Sequence, residues 1–221
     1  VICIVPSITI LIAKQMINTI DVSSGMNNVF STPIFISQEE YVLSDKQKEI
    51  ILNKEKQLNA YNTSSVDSNI LDYPEFKRLK EFCKDQIDYY AHVLLKIRDC
   101  DFYITQSWLN YAETNESHHE HSHHNSIMSG VYYISPNVST IIFHRKEEVF
   151  PSFSFNYEYY DITTALNIEI KVPKNRMIIF PSSIYHSVDS NKDKETRISL
   201  AFNTFVKGSM GDYDGKTLLK L

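Results

Sequence analysis

Apolar residues change their spacing once along the chain. Phe76, Leu79, Phe82, Cys83, Ile87, Tyr90, Val93, Leu94 and Ile97 recur at three- and four-residue steps, which lines them on one face of a helix. Pro74 stands where a helix accepts a first-turn proline. Upstream, Ser37 followed by Glu40 has capping-box spacing. The stretch "QEEYVLSDKQKEIILNKEKQLNAY" then reads as a mostly polar, interrupted helix, ending in the polar loop "NTSSVDSN" at 62–69. Residues 29–37, "VFSTPIFIS", alternate as a strand, and Pro33 places it at a sheet edge. After residue 101 the period shortens. "DFYITQSWLNYA", "SIMSGVYYIS", "STIIFHR", "ALNIEIKV", "RMIIFPS" and "TRISLAFNTFV" are short runs rich in β-branched and aromatic residues, separated by turn material. The outline is α+β. Helices over about 38–98 back a second half, about 101–206, whose strand count suits a jelly roll or barrel.

Bulk properties narrow this picture only a little. At 221 residues, 43% apolar and 22% charged, the chain has the size and composition of one globular domain. A net charge of −5 disfavours a nucleic-acid partner, which usually meets a basic face. Cys3, Cys83 and Cys100 show no close pairing, so reduced thiols and a cytoplasmic setting are expected rather than a disulfide framework. "VICIVPSITILIAK" is apolar for about a dozen residues, too short to span a bilayer. It also lacks the basic start of a secretory signal. "MNNVFSTPIFIS" from Met26 reads as a natural start. Residues 1–25 are therefore expected to be an apolar extension foreign to the domain, and 26–221 a single domain with no membrane segment.

The second half carries the chemistry. "ESHHEHSHHNSIMSG", residues 116–130, holds five of the eight histidines. In extended chain His121 and His123 point to one face, as does His119, while His118 and His124 point to the other. Imidazole suits iron, zinc, nickel and copper alike, so the pair does not name its metal. Downstream, His186 follows the "FPSS" turn, and Arg197 and Ser199 share one face of the next strand. An arginine fork matches a carboxylate, to which a serine hydroxyl can add a donor.

The order H-x-H, a long gap, His, about ten residues, then Arg-x-Ser resembles the double-stranded β-helix (jelly-roll, cupin-like) of Fe(II)/2-oxoglutarate-dependent oxygenases. Within that family it looks most like the branch found in bacteria and in phages of marine bacteria. The resemblance rests on "TPIFIS", "SWLNYAE", "HSHHNSIMSGVYYIS", "IIFPSSIYHSV" and "RISLAFN" and spans about residues 29–206. It implies a dioxygenase that hydroxylates a substrate with O₂ while 2-oxoglutarate yields succinate and CO₂. It further implies that His121 and His186 hold Fe(II), with His123 where the pattern has an acidic ligand. Arg197 would hold the far carboxylate of 2-oxoglutarate, assisted by Ser199. Three protein ligands leave three positions for the 2-oxo acid and O₂. The setting implied is the cytoplasm of a bacterium or a phage-infected host.

His123 departs from that pattern, and two other readings stay open. His118-x-Glu120 is a competing register that would restore a carboxylate ligand. A three-His set also suits a cupin-like metalloenzyme that uses no 2-oxoglutarate, or a protein that only sequesters metal. Trp108 is expected in the core and His144 at an exposed strand end. Asn125 is expected to shape a turn, and at most one of Tyr132 and Tyr133, which lie on opposite faces, to line the cavity. Residues 145–161, "RKEEVFPSFSFNYEYYD", join two strands through an aromatic excursion suited to a substrate lid. The substrate, a small molecule or a protein side chain, and the oligomeric state are not legible.

Overall fold

Alternation along four strands decides the layering. In β4 (Cys100–Ala112), β6 (Met128–Tyr133), β9 (Met177–Pro181) and β11 (Arg197–Met210) successive side chains face opposite ways. Leu109, Tyr111, Tyr132, Met177, Ile179, Leu200 and Phe202 pack on one side with Leu79, Cys83, Ile87 and Tyr90 of the helical layer. On the other side Tyr133, Ile178 and Phe180 pack with Ile141, Phe143 and Val172 of a second sheet. The computed structural model that shows this describes residues 31–135, 138–147, 152–153 and 155–221. The expected extension at 1–25 lies outside these residues.

The remaining strands are β1 (Phe35–Ile36), β2 (Lys56–Asn59), β3 (Asn62–Ser65), β5 (His118–His121), β7 (Ser139–His144), β8 (Asn167–Val172), β10 (Tyr185–Val188) and β12 (Leu219–Lys220). The larger sheet runs β1-β9-β6-β11-β4-β3-β2, with β12 beside β11, and the smaller runs β5-β10-β7-β8. This is a double-stranded β-helix, the jelly roll that the strand pattern suggested in the form the resemblance implied. Its helical layer consists of α1 (Asp45–Asn53) and α2 (Lys77–Asp88).

The N-terminal third differs from the periodicity reading. Helix α1 begins at a capping box of Ser44 and Gln47, not Ser37 and Glu40. The Ser37 hydroxyl instead accepts from the Met177 amide at 3.1 Å, and Glu40 pairs with Arg176. The polar "KQLN" and "NTSS" segments form a hairpin, because β3 is captured by the edge of β4 through Thr63–Tyr111 and Ser64–Asn110. Tertiary pairing overrides weak local preference here. Helix α2 ends in a single π-turn, Tyr89–Leu94, which rotates the apolar face and leaves Val93 and Leu94 exposed.

Gly130 marks a close approach within the larger sheet. A Cβ there would lie 2.1 Å from the Phe202 ring, itself fully buried opposite it on β11. We expect Gly130→Ala to cost roughly 1–3 kcal/mol through overpacking, read as a lowered midpoint in urea with an unchanged slope.

Candidate metal centre and co-substrate pocket

Strand pairing brings the distant histidines together. His121 on β5 lies opposite His186 on β10. His123 follows β5, and its amide donates to the Ser182 carbonyl at 2.9 Å. Ring centroids are 4.3 Å apart for His121–His186, 5.0 Å for His121–His123 and 5.1 Å for His123–His186. One ring nitrogen from each lies within 4.8 Å of the others.

The surroundings orient these rings. Nδ1 of His121 is 2.9 Å from the His119 carbonyl, and Nδ1 of His186 is 3.0 Å from the Ile184 carbonyl. In the tautomer that donates there, each Nε2 carries a lone pair, that of His186 lying 3.4 Å from His123 Nε2. The Asn203 amide acts on the His123 ring in the direction that favours its protonated form, against the larger effect of burial. Asn203 Oδ1 accepts from Ser129 Oγ at 2.9 Å, Ser129 Oγ lies 2.8 Å from Ser182 Oγ, and Ser182 Oγ donates to Ser126 Oγ at 2.7 Å. Burial, the main cause, pulls His186 down to about 3 and His123 to about 4, and lowers His121 as well. Neutral, pre-aimed imidazoles are the form a divalent metal takes up, so the donor set fits such an ion.

The same shifts set the pH response of the metal-free chain. These histidines stay neutral in the fold down to about 4 for His123 and about 3 for His186, whereas unfolded they take a proton near pH 6.5. The unfolded state then binds more protons in that window. Stability is full above about pH 6.5 and falls as pH drops below it, so melting temperatures measured from pH 8 to pH 4 should decline.

Arg197, Ser199 and Ala201 present alternate side chains of β11 to the same cavity. Across β4 they face Ala112, Asn110 and Trp108, and Tyr133 lies opposite Ser199 on β6. No acidic side chain lines this cavity among the described residues. Asn62 Oδ1, Asn110 Oδ1 and Tyr133 Oη are buried without a hydrogen-bond partner among the described residues. Orphaned groups of this kind are costly and mark where a polar molecule belongs. Burial raises Tyr133 well above the usual phenol range, so its hydroxyl is a donor.

Several expectations change with the geometry. Trp108 is not core: its ring stacks 5.7 Å from His123, over the pocket. Tyr132 turns to the helical layer, where its hydroxyl donates to the Tyr41 carbonyl. His144 is not exposed, since it bonds Asn167 and Ser187 at 2.7 and 2.8 Å. His118 does not face away from His121. Between His186 and Val188 one residue of β10, Ser187, opposes two of β5, His119 and Glu120, and that bulge turns His118 into the cavity, stacked 4.5 Å from His121. Glu120 of the competing register points out, engaged by Lys146 and 3.7 Å from His144. Asn125 takes a left-handed φ of 54° and shapes the turn. Asn62, Asn110 and Asn203 were missed; a polar residue on an inward strand position was the only signal.

Residues 106–203 match the family described as "Putative 2OG-Fe(II) oxygenase". Over this segment, a little under half of its length, the chain matches the model of that oxygenase family. The family's enzymes use Fe(II), 2-oxoglutarate and O₂. No curated protein matches the chain. Solved structures share its fold. HygX from Streptomyces hygroscopicus, solved with nickel and 2-oxoglutarate bound, aligns with a TM-score of 0.52 at 10% identity, covering 78% of this chain and 82% of its own. A Pseudomonas putida prolyl-4-hydroxylase aligns at 0.51 and 10% identity, covering 78% and 93%. The carbocyclase SnoK from nogalamycin biosynthesis aligns at 0.54 and 10% identity, covering 83% and 85%.

A ligand that relies on a side-chain partner should feel its loss. Asn203→Ala frees the His123 ring, and we expect metal affinity to fall roughly 10–100-fold. Titration calorimetry checks this, with Asn203→Gln recovering part of the loss.

Proposed function

We propose that this oxygenase holds Fe(II) on His121, His123 and His186 and 2-oxoglutarate on Arg197 and Ser199, and hydroxylates a small molecule or a protein side chain. The observation that carries the reading is one cavity containing both a convergent neutral His trio and an arginine flanked by orphaned polar groups. When bound, Fe(II) supplies the redox chemistry that couples decarboxylation of 2-oxoglutarate to oxygenation of a substrate. The protein's residues supply the rest. Arg197 and Ser199 fix the far carboxylate, and Tyr133 and Asn110 lie beside it to position the co-substrate. Three neutral ligands leave the full charge of the metal, so a dianionic co-substrate is attracted more strongly than beside a carboxylate ligand. The apolar walls Val131, Ile141 and Ala201 keep water away from the reacting end.

The aromatic segment after β7 suits substrate contact. It leaves the sheet beside His144, adjacent to Tyr185 and His186, and carries exposed Phe153, Tyr159, Tyr160 and Ile162. Its base is tied by Arg145 to the Thr163 and Ile162 carbonyls. Among the described residues no helix is long and apolar enough to cross a membrane. Free Cys83 and Cys100 agree with work in a reducing cytoplasm, of a bacterium or a phage-infected host.

The test is succinate release from 2-oxoglutarate in air with added Fe(II), with and without candidate substrates. Succinate formation supports the reading. Failure of 2-oxoglutarate to bind the metal-loaded protein would move the assignment to a three-His enzyme that needs no 2-oxo acid.

A further inference from the structure

The five-histidine tract contains a second convergent trio. His118, His119 and His121 each offer a ring nitrogen within 4.8 Å of the other two. Ring centroids are 4.5 Å apart for His118–His121, and 5.2 Å for both His118–His119 and His119–His121. This grouping arises from the β5 bulge, which places neighbouring residues on one side of a strand that would otherwise separate them. A separate observation points to a ligand. His119 Nδ1 is buried and has no hydrogen-bond partner among the described residues. A neutral imidazole nitrogen in that position is unsatisfied unless something coordinates or bonds it.

His121 belongs to both trios. Its Nδ1 is occupied by the His119 carbonyl, so only one nitrogen is free to bind a metal. The two sets therefore cannot use His121 at the same time. The donors are neutral nitrogens with no carboxylate among them, a set that favours late first-row divalent ions over Mg²⁺ or Ca²⁺.

We propose that His118, His119 and His121 form a second metal site, selective for imidazole-seeking divalent ions such as Zn²⁺, which competes with the first trio for His121. Where the oxygenase reading holds, an ion seated there withdraws a ligand from the iron site. Excess zinc then lowers turnover without having to occupy His123 or His186.

The test uses the full chain and Zn²⁺ alone. In His123→Ala/His186→Ala, which removes two of the three ligands of the first trio, titration calorimetry should still find one Zn²⁺ per chain, with affinity within tenfold of the unmodified protein. Adding His119→Ala should weaken it at least a hundredfold. A double variant that melts cooperatively yet binds no stoichiometric zinc overturns the proposal. If that variant does not fold, the unmodified protein answers instead, labelled with ¹⁵N in its histidines and titrated with excess Zn²⁺. Coordination shifts at the His118 and His119 ring nitrogens, assigned through His119→Ala, are expected. Shifts confined to His121, His123 and His186 overturn the proposal. Neither arm uses iron, 2-oxoglutarate or turnover, so its outcome is independent of the oxygenase reading.

Discussion

Arg197→Ala should raise the 2-oxoglutarate concentration for half-maximal turnover by roughly a hundredfold, with a smaller effect on the maximal rate. Removing one partner of a buried, hydrogen-bonded charge pair costs about 2–5 kcal/mol, and each 1.4 kcal/mol is about a tenfold change. Arg197 is partly buried on the inward face of β11, two residues before Ser199 and opposite Ala112 of β4. Burial lowers its pKa, while Tyr133, Asp189 and Asp193 act in the other direction. It stays charged, because the guanidinium begins far above neutrality. Arg197→Lys should recover only part of the loss, since an ammonium cannot offer two parallel donors to one carboxylate. Initial rates against 2-oxoglutarate concentration, read as KM and kcat separately, check this. An equal fall in kcat with unchanged KM would place Arg197 outside the co-substrate site.

His186→Ala should be more severe. His186 is 4% exposed, with its ring 4.8 Å from Phe180 and 4.3 Å from His121. Its Nε2 lies 3.4 Å from His123 Nε2, so it borders both other members of the trio. Removing it leaves two ligands and an open space in the metal pocket. We expect Fe(II) affinity to drop at least about a thousandfold, two ligands no longer closing a facial set, and turnover to reach background. The variant also loses buried ring contacts, at a cost of roughly 2–4 kcal/mol. A melting curve therefore accompanies the metal titration, so that lost binding is read on folded protein.

The sequence carried the strands and the inward positions of β11 because their period is local. Arg197 and Ser199 fall two apart, and a two-residue period sends them to one face whatever the strand pairs with. His186 and the H-x-H pair were legible as candidates, but their meeting was not. It depends on β5 pairing β10 across more than sixty residues of chain. The β5 bulge was invisible for a related reason: an extra residue exists only relative to its partner strand. Strict alternation therefore sent His118 to the wrong face. Trp108 was read as core because tryptophan is usually buried, although an inward position in a jelly roll can face a cavity instead. The hairpin at 56–65 looked like helix and loop because its residues are polar and its pairing partner lies near residue 111. The Asn203–Ser129–Ser182 chain joins the middle of β11, the start of β6 and the residue after β9, and has no local pattern at all.

The central claim is that His121, His123 and His186 hold the iron while Arg197 and Ser199 hold the co-substrate. Diffraction from crystals grown without oxygen, with Fe(II) and 2-oxoglutarate, at the iron absorption edge tests it most directly. The expected result is one anomalous peak about 2.1 Å from a nitrogen of each of those three histidines, a normal distance for such a bond. The far carboxylate of 2-oxoglutarate should lie on Arg197 and Ser199. Iron held by His118, Glu120 and His186, or 2-oxoglutarate bound away from Arg197, would contradict the account.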